Sequence, residues 1–268
     1  MKVHTATLAG GATNADRVFV TDNAVILLDG ASAFAPVDVD PGDYAETLGT
    51  QIADQLDAAP TADLSTVVAQ AITTTVRDLR LSPGLPAPSS TVAILRIRAQ
   101  FADLYVLGDS PIYYGTEQAN HVLTDDRIAR LNLPEWDQYR NRLATGEGFT
   151  KRHRDLLAAL QKAQYRHRNR SGGYWIAEAD DAAAHHARAV VVPSQELTWA
   201  VLATDGASDV IDHRGLPDWE QVARLDCRGL GKLLGELHQW ESDTDPNGCD
   251  LLRAKRHDDK TLAAFSGL

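Results

Sequence analysis

Cysteine is nearly missing from this chain of 268 residues, which holds two, Cys227 and Cys249. Their spacing matches neither a disulfide framework nor a zinc ribbon, so free thiols in a reducing compartment are expected. No uncharged apolar run of about 18 residues occurs, and Met1–Gly10 lacks a basic start followed by an apolar stretch. The reading is a cytoplasmic protein, neither exported nor held at a membrane. Positive charge is also scarce. With 26 Lys+Arg against 37 Asp+Glu the formal net charge is −11, which repels a polyanion and excludes general nucleic-acid binding. Aromatics make up only 6%, yet hydrophobic residues reach 44% and charged residues 24%, enough Ala, Val, Ile and Leu for a substantial core without disorder. No repeat or low-complexity block appears, and the length suits one layered domain over residues 1–268. The excess carboxylate is either solvation or partly an oxygen-ligand metal site, and the placement of the aspartates must decide.

Arg17–Thr21 and Ala24–Leu28 flank the turn pair Asp22-Asn23 and predict a hairpin. Ala45, Leu48, Ile52 and Leu56, then Leu64, Val67, Val68, Ala71, Ile72, Val76 and Leu79, recur at helical spacing and predict two amphipathic helices, the first capped by Asp43, the second by Asp63 or Ser65. After the Pro-rich connection 82–88, Thr91–Ala99, Ala102–Leu107 and Ile112–Tyr114 predict an antiparallel meander. Trp199–Ala203 and Thr261–Phe265 read as strands, and Leu230, Leu233, Leu234, Leu237 and Trp240 as a helix face. Strands and helices in blocks, rather than in regular alternation, predict an α+β fold with helices packed on antiparallel sheets.

From Lys151 to Arg170 seven positive residues face one negative, a net +6, around a stripe of Leu156, Leu157, Leu160 and Ala163. The plain reading is a solvated helix; the functional one is a flap-like basic insertion, within residues 125–175, that attracts an anionic substrate. His185-His186 invites a metal reading, but neighbours on a helix point about 100° apart, so a surface role is preferred.

Three aspartates stand where apolar strands stop: Asp29 after Val25–Leu28, Asp109 after Tyr105–Gly108, and Asp205 after Val201–Thr204. Singly, each is an ordinary turn residue. Repeated, they are carboxylates on rigid supports, able to converge on hard cations.

Several elements together resemble the metal-dependent protein phosphatases of the protein phosphatase 2C type. Asn14-Ala15-Asp16-Arg17 is similar to that family's opening Asn-Glu-Asp element, Leu28-Asp29-Gly30-Ala31-Ser32 to its Asp-Gly element, and Ser89-Ser90-Thr91 to its Gly-Ser/Thr-Thr element. Leu107-Gly108-Asp109-Ser110 resembles the Gly-Asp-Ser turn and Val122–Asp126 the stretch that follows it. Ala203–Asp209 resembles Ser-Asp-Gly-x-x-Asp, and Asp258-Asp259-Lys260-Thr261 the closing Asp-Asn-x-Thr. The resemblance implies a four-layer α-β-β-α sandwich, two antiparallel sheets flanked by helices, with two Mn²⁺ or Mg²⁺ ions at one end and room for a third. Carried over, Asp29 bridges both ions, the Gly30 carbonyl binds one, and Asp205 and Asp258 complete the other. Asp109 with Asp205 holds the third, and Asp16 orients the attacking water. The implied catalytic residues are Asp16, Asp29 and Asp205. The implied reaction is attack of a water bridging the two ions on a phosphoserine or phosphothreonine protein substrate, by a monomer.

Two positions depart from that pattern. Ala15 stands where the family carries Glu, and Gly11 where its phosphate-binding Arg aligns. Arg17 and the basic segment 151–170 are the candidate phosphate contacts, since guanidinium grips phosphate bidentately. The rival readings are a catalytically weak or inactive pseudophosphatase that binds a phosphoprotein or partner, and an acidic α+β domain whose aspartates only make turns.

Overall fold

The computed structural model describes residues 1–35, 37–215 and 217–267. β3 (Ala24–Leu28) is buried along its whole length. Side chains alternate across a strand, and here Val25 and Leu27 enter one apolar cluster while Ala24, Ile26 and Leu28 enter another. A strand apolar on both faces belongs between two other layers. β3 pairs with β2 (Arg17–Val20) and β6 (Val92–Ile97), and β7 (Phe101–Leu107) and β10 (Arg188–Pro193) complete a five-stranded antiparallel sheet in the order β10-β7-β6-β3-β2.

The second sheet, also antiparallel, runs β1-β12-β11-β8-β9, from β1 (Val3–Leu8), β12 (Lys260–Phe265), β11 (Leu197–Ala203), β8 (Ile112–Thr116) and β9 (Asn120–Leu123). Val25, Leu27, Ala93, Leu95, Leu104 and Val106 of the first sheet pack against Ile112, Ala200, Leu202, Ala263 and Phe265 of the second. α1 (Pro41–Ala58) and α2 (Leu64–Asp78) cover the first sheet's outer face through Leu48, Ile52, Leu56, Val68 and Ile72. α5 (Asp205–Arg214), α6 (Trp219–Ala223) and α7 (Cys227–Asp243) cover the second through Val210, Ile211, Leu230, Leu234 and Leu237. Each fully buried Leu or Ile contributes about 1.5–3 kcal/mol relative to exposure. The result is the expected α-β-β-α sandwich.

Two local expectations are corrected. Asp40, not Asp43, caps α1: its side chain accepts from the Gly42 amide, because Pro41 occupies the first helical turn and moves the start upstream. Asp63 caps α2 as expected. The meander stops at β7, since β8 joins the other sheet. Gly108, at φ 89°, turns the chain out of the first sheet, so Gly108-Asp109-Ser110-Pro111 is a crossing between sheets rather than a hairpin. α3 (Pro134–Ala144) and α4 (Lys151–Tyr165) form a small outlying cluster through Tyr139, Leu143 and Leu160. None of the described helices is long and apolar enough to cross a membrane. Cys227 and Cys249 are free.

Candidate active site

One end of the sandwich gathers the chain's strand-end aspartates. Asp29 follows β3, Asp205 opens α5 just after β11, Asp258 stands two residues before β12, and Asp16 precedes β2. The Asp29 and Asp205 carboxyls lie close enough to act directly on each other, and the charges of Asp16 and Asp258 also act on Asp29. Asp205 in turn feels Asp258, Asp209 and Asp109. Residues at the ends of strands from two sheets, more than 200 positions apart in the chain, thus converge.

Hydrogen bonds explain why the backbone holds them there. The Asp29 amide donates to Thr91 Oγ1 at 3.1 Å and the Thr91 amide donates to the Asp29 carbonyl at 3.0 Å. Thr91 Oγ1 also pairs with Ser110 Oγ at 2.6 Å, tying the end of β3 to the sheet crossing that carries Asp109. On the other sheet, Thr204 is fully buried; its hydroxyl accepts from the Thr261 amide at 2.9 Å and donates to Asp16 Oδ2 at 2.8 Å. Asp259 accepts from the Gly10 and Ala15 amides, both at 2.8 Å, fastening the 10–15 loop beside Asp258. Gly206 is required: a Cβ there would lie 2.1 Å from the Asp259 carbonyl oxygen.

The electrostatics are those of carboxylates crowded without enough cations. Burial, then the charges of Asp205, Asp16 and Asp258, push the Asp29 carboxyl well above the usual carboxylate range. Asp205 is pushed well above it by burial, then by Asp258, Asp209 and Asp109. Asp16 rises to about 7, chiefly by burial, against the lowering effect of its bond to Thr204. Burial also raises Asp109, with Asp125 adding to it. Asp209, overlooked as a site residue in the sequence, is pushed up to about 7 by the protein packed around it and by Asp109, Asp212 and Asp258, although solvent reaching its side chain damps the effect.

An all-oxygen, self-repelling donor set of this kind fits a hard divalent cation. Two carboxylates buried as near each other as Asp29 and Asp205 repel unless one takes a proton or a cation neutralises the pair. Gly30, on the two-residue strand β4 (Gly30–Ala31) that pairs with β5 (Ser89–Ser90), packs so closely that a Cβ would lie 2.7 Å from the Ala15 carbonyl oxygen.

The other expected contacts are placed less directly. Arg17 donates from Nε to Glu46 at 2.6 Å and from Nη1 to the Asn14 and Asp16 carbonyls at 2.7 and 2.8 Å, so it fastens β2 to α1. Gly11 is exposed, with nothing within 4 Å of where a Cβ would stand. The basic helix α4 reaches the loop before Asp258: His153 Nε2 pairs with the Ala254 carbonyl at 2.9 Å, and Arg253 lies over the Phe149 ring. His185 and His186 are exposed, His186 stacking on Trp175.

Among the described residues, the one group of three His, Cys, Asp or Glu side chains whose ligand atoms all lie within 4.8 Å of one another is His238, Glu241 and His257, which includes none of the strand-end aspartates. Its carboxylate is already engaged. Glu241 Oε2 accepts from Lys260 Nζ and pairs with His257 Nδ1, both at 2.9 Å, and the two imidazoles stack in nearly parallel planes. Lys260 is 0% exposed and also donates to the Asp258 carbonyl at 3.0 Å, so the buried pair braces the Asp258 segment. Replacing Glu241 by Ala strands that ammonium, and urea unfolding is expected to show a loss of about 3–5 kcal/mol.

The fold is that of PPM-type serine/threonine phosphatases. The PPM Ser-Thr phosphatase MsPP of Mycobacterium smegmatis, solved with cacodylate, matches at 16% identity and a TM-score of 0.54, covering 98% of this chain and 97% of that one. The catalytic domain of the serine/threonine phosphatase PstP, solved with two manganese ions, matches at 14% identity and a TM-score of 0.54, covering 98% and 96%. The Staphylococcus aureus serine/threonine phosphatase Stp1 matches at 12% identity and a TM-score of 0.56, covering 98% and 93%. No protein-family model matches the sequence, and neither does any curated protein sequence.

Proposed function

We propose that this chain is a divalent-metal-dependent serine/threonine protein phosphatase that hydrolyses phosphomonoesters. The observation that carries the reading is the convergence of Asp29 and Asp205 from the two sheets, with Asp258 acting on both, in a fold that phosphatases share. Asp29, the Gly30 carbonyl, Asp205 and Asp258 would hold two Mn²⁺ or Mg²⁺ ions, and Asp109 with Asp205 a third. Bound there, such ions supply an activated water nucleophile and neutralise charge developing on the phosphoryl oxygens.

The protein's own groups do the rest. Asp16, anchored by Thr204, would accept a hydrogen bond from the attacking water and so turn its lone pair toward phosphorus. Thr91 and Ser110 hold the Asp29 backbone and the sheet crossing in fixed relation, so the carboxylates need no reorganisation as charge shifts. The α4 flap, seated on the loop before Asp258, brings positive charge to the mouth and favours a phosphoseryl or phosphothreonyl protein as substrate.

p-Nitrophenyl phosphate is expected to be hydrolysed with Mn²⁺ and left intact in EDTA, and a phosphoseryl peptide to follow the same pattern. Failure with Mn²⁺ present favours the second reading, a phosphoprotein-binding pseudophosphatase. That reading draws on Ala15, the open Gly11 position and the commitment of Arg17 to Glu46.

A further inference from the structure

The carboxylate end has few cations, and most of them are committed. Arg17 is bonded to Glu46 and two carbonyls. Arg253 is bonded to Asp245 Oδ2 at 2.6 Å and to the Leu251 carbonyl at 3.0 Å. Lys260 is sealed beneath the loop against Glu241. Lys255 differs. Its ammonium donates to Asp258 Oδ1 at 2.8 Å, and the charges of Asp258, Asp29 and Asp259 all act on it, so it lies over the cluster. Its side chain is nevertheless 62% exposed, so the flexible stem can change partner while the backbone stays still.

The backbone on either side is fixed. Asp245 accepts from the amides of Cys249, Asp250 and Leu251, His153 holds the Ala254 carbonyl, and His257 is tied to Glu241. Lys255 is thus an exposed cation on a long stem, mounted on a well-bonded backbone beside a proposed metal ligand.

We propose that Lys255 is the phosphate-binding cation of this site. It neutralises Asp258 while no divalent ion is present, gives that carboxylate up when one binds, and donates to a phosphoryl oxygen in its place. The inference rests on the metal-dependent phosphatase reading and adds to it an anion contact beyond Gly11, which has no side chain, and Arg17, whose Nε and Nη1 already serve Glu46 and two carbonyls. The shared chemistry is a tetrahedral phosphoryl dianion, whether substrate or released orthophosphate.

Isothermal titration of the full chain separates the possibilities, first with Mn²⁺ alone and then, at saturating Mn²⁺, with orthophosphate. Lys255→Gln is expected to weaken orthophosphate binding by about 10- to 100-fold. Its Mn²⁺ affinity should be equal or tighter, because a competing cation is gone, and Lys255→Arg should keep phosphate affinity near that of the parent. The proposal is overturned by phosphate affinity of Lys255→Gln within about twofold of the parent, or by no phosphate binding to the Mn²⁺-loaded parent. Loss of Mn²⁺ affinity as large as the loss of phosphate affinity also overturns it, making Lys255 a prop for Asp258. A parent protein that does not bind Mn²⁺ overturns the phosphatase reading as well, which sets that failure apart.

Discussion

Asparagine at both Asp29 and Asp205 is expected to abolish calorimetric Mn²⁺ binding and to lower Mn²⁺-dependent p-nitrophenyl phosphate turnover on the order of 10³-fold. The same double variant should unfold at a higher temperature than the parent in EDTA. Both outcomes have one cause. The two carboxyls repel each other, and Asp16, Asp258, Asp209 and Asp109 add to the strain, so the ion-free fold is destabilised by the groups that would hold the ions. Asparagine keeps the shape and removes the charge. Turnover that survives the double substitution, or a metal-free variant less stable than the parent, contradicts the assignment. In the second case the two carboxylates would be structural.

The second large effect is an inverted pH dependence. A carboxyl whose pKa is raised in the fold binds protons more tightly folded than unfolded, so its contribution is most favourable below the unfolded value and fades as pH rises through the folded one. Asp16 alone, pushed up to about 7, weakens the metal-free protein by about 3 kcal/mol between pH 5 and pH 7.5. Asp29 and Asp205 shift in the same direction. Asp63 and Asp245, held low by hydrogen bonds to backbone amides despite partial burial, lose their contribution only below the usual carboxylate range and leave this window untouched. His238, lowered by burial and by His257, works the other way near its ordinary value, but as one group against Asp16, Asp29, Asp205, Asp109 and Asp209. Thermal unfolding in EDTA should therefore give a Tm that falls from pH 5 to pH 7.5, and saturating Mn²⁺ should remove the fall. A metal-free Tm that climbs over that interval counts against the cluster.

How far the sequence reveals this arrangement depends on the range of the interaction. The helix faces of α1, α2 and α7 follow from apolar spacing within one segment, and β3 from a five-residue apolar run. β1 was not legible, because His4, Thr5 and Thr7 break its alternation, and only pairing with β12 explains the strand. The sheet crossing at Gly108 reads in the sequence as a turn within one meander, since a local pattern carries no record of which sheet the next strand joins. Asp16, Asp29, Asp109, Asp205 and Asp258 stood out through their places at strand ends and in ordered motifs. Lys255 did not, because an exposed lysine three residues before an aspartate has no local signature; its meaning comes from Asp29, more than 200 residues away. Arg17 shows the converse, a plausible phosphate contact in the sequence whose guanidinium the fold gives to Glu46 and two carbonyls.

The crossing at Gly108–Pro111 leaves Asp29 on one sheet and Asp205 on the other, like clasps on the two covers of a book. Apolar side chains bind the covers along the spine, but at the Asp29–Asp205 end like charges press them apart. An ion shared by the two is then a latch as well as a reagent. The supply of divalent cations would govern how firmly the covers stay shut together with whether the site can react.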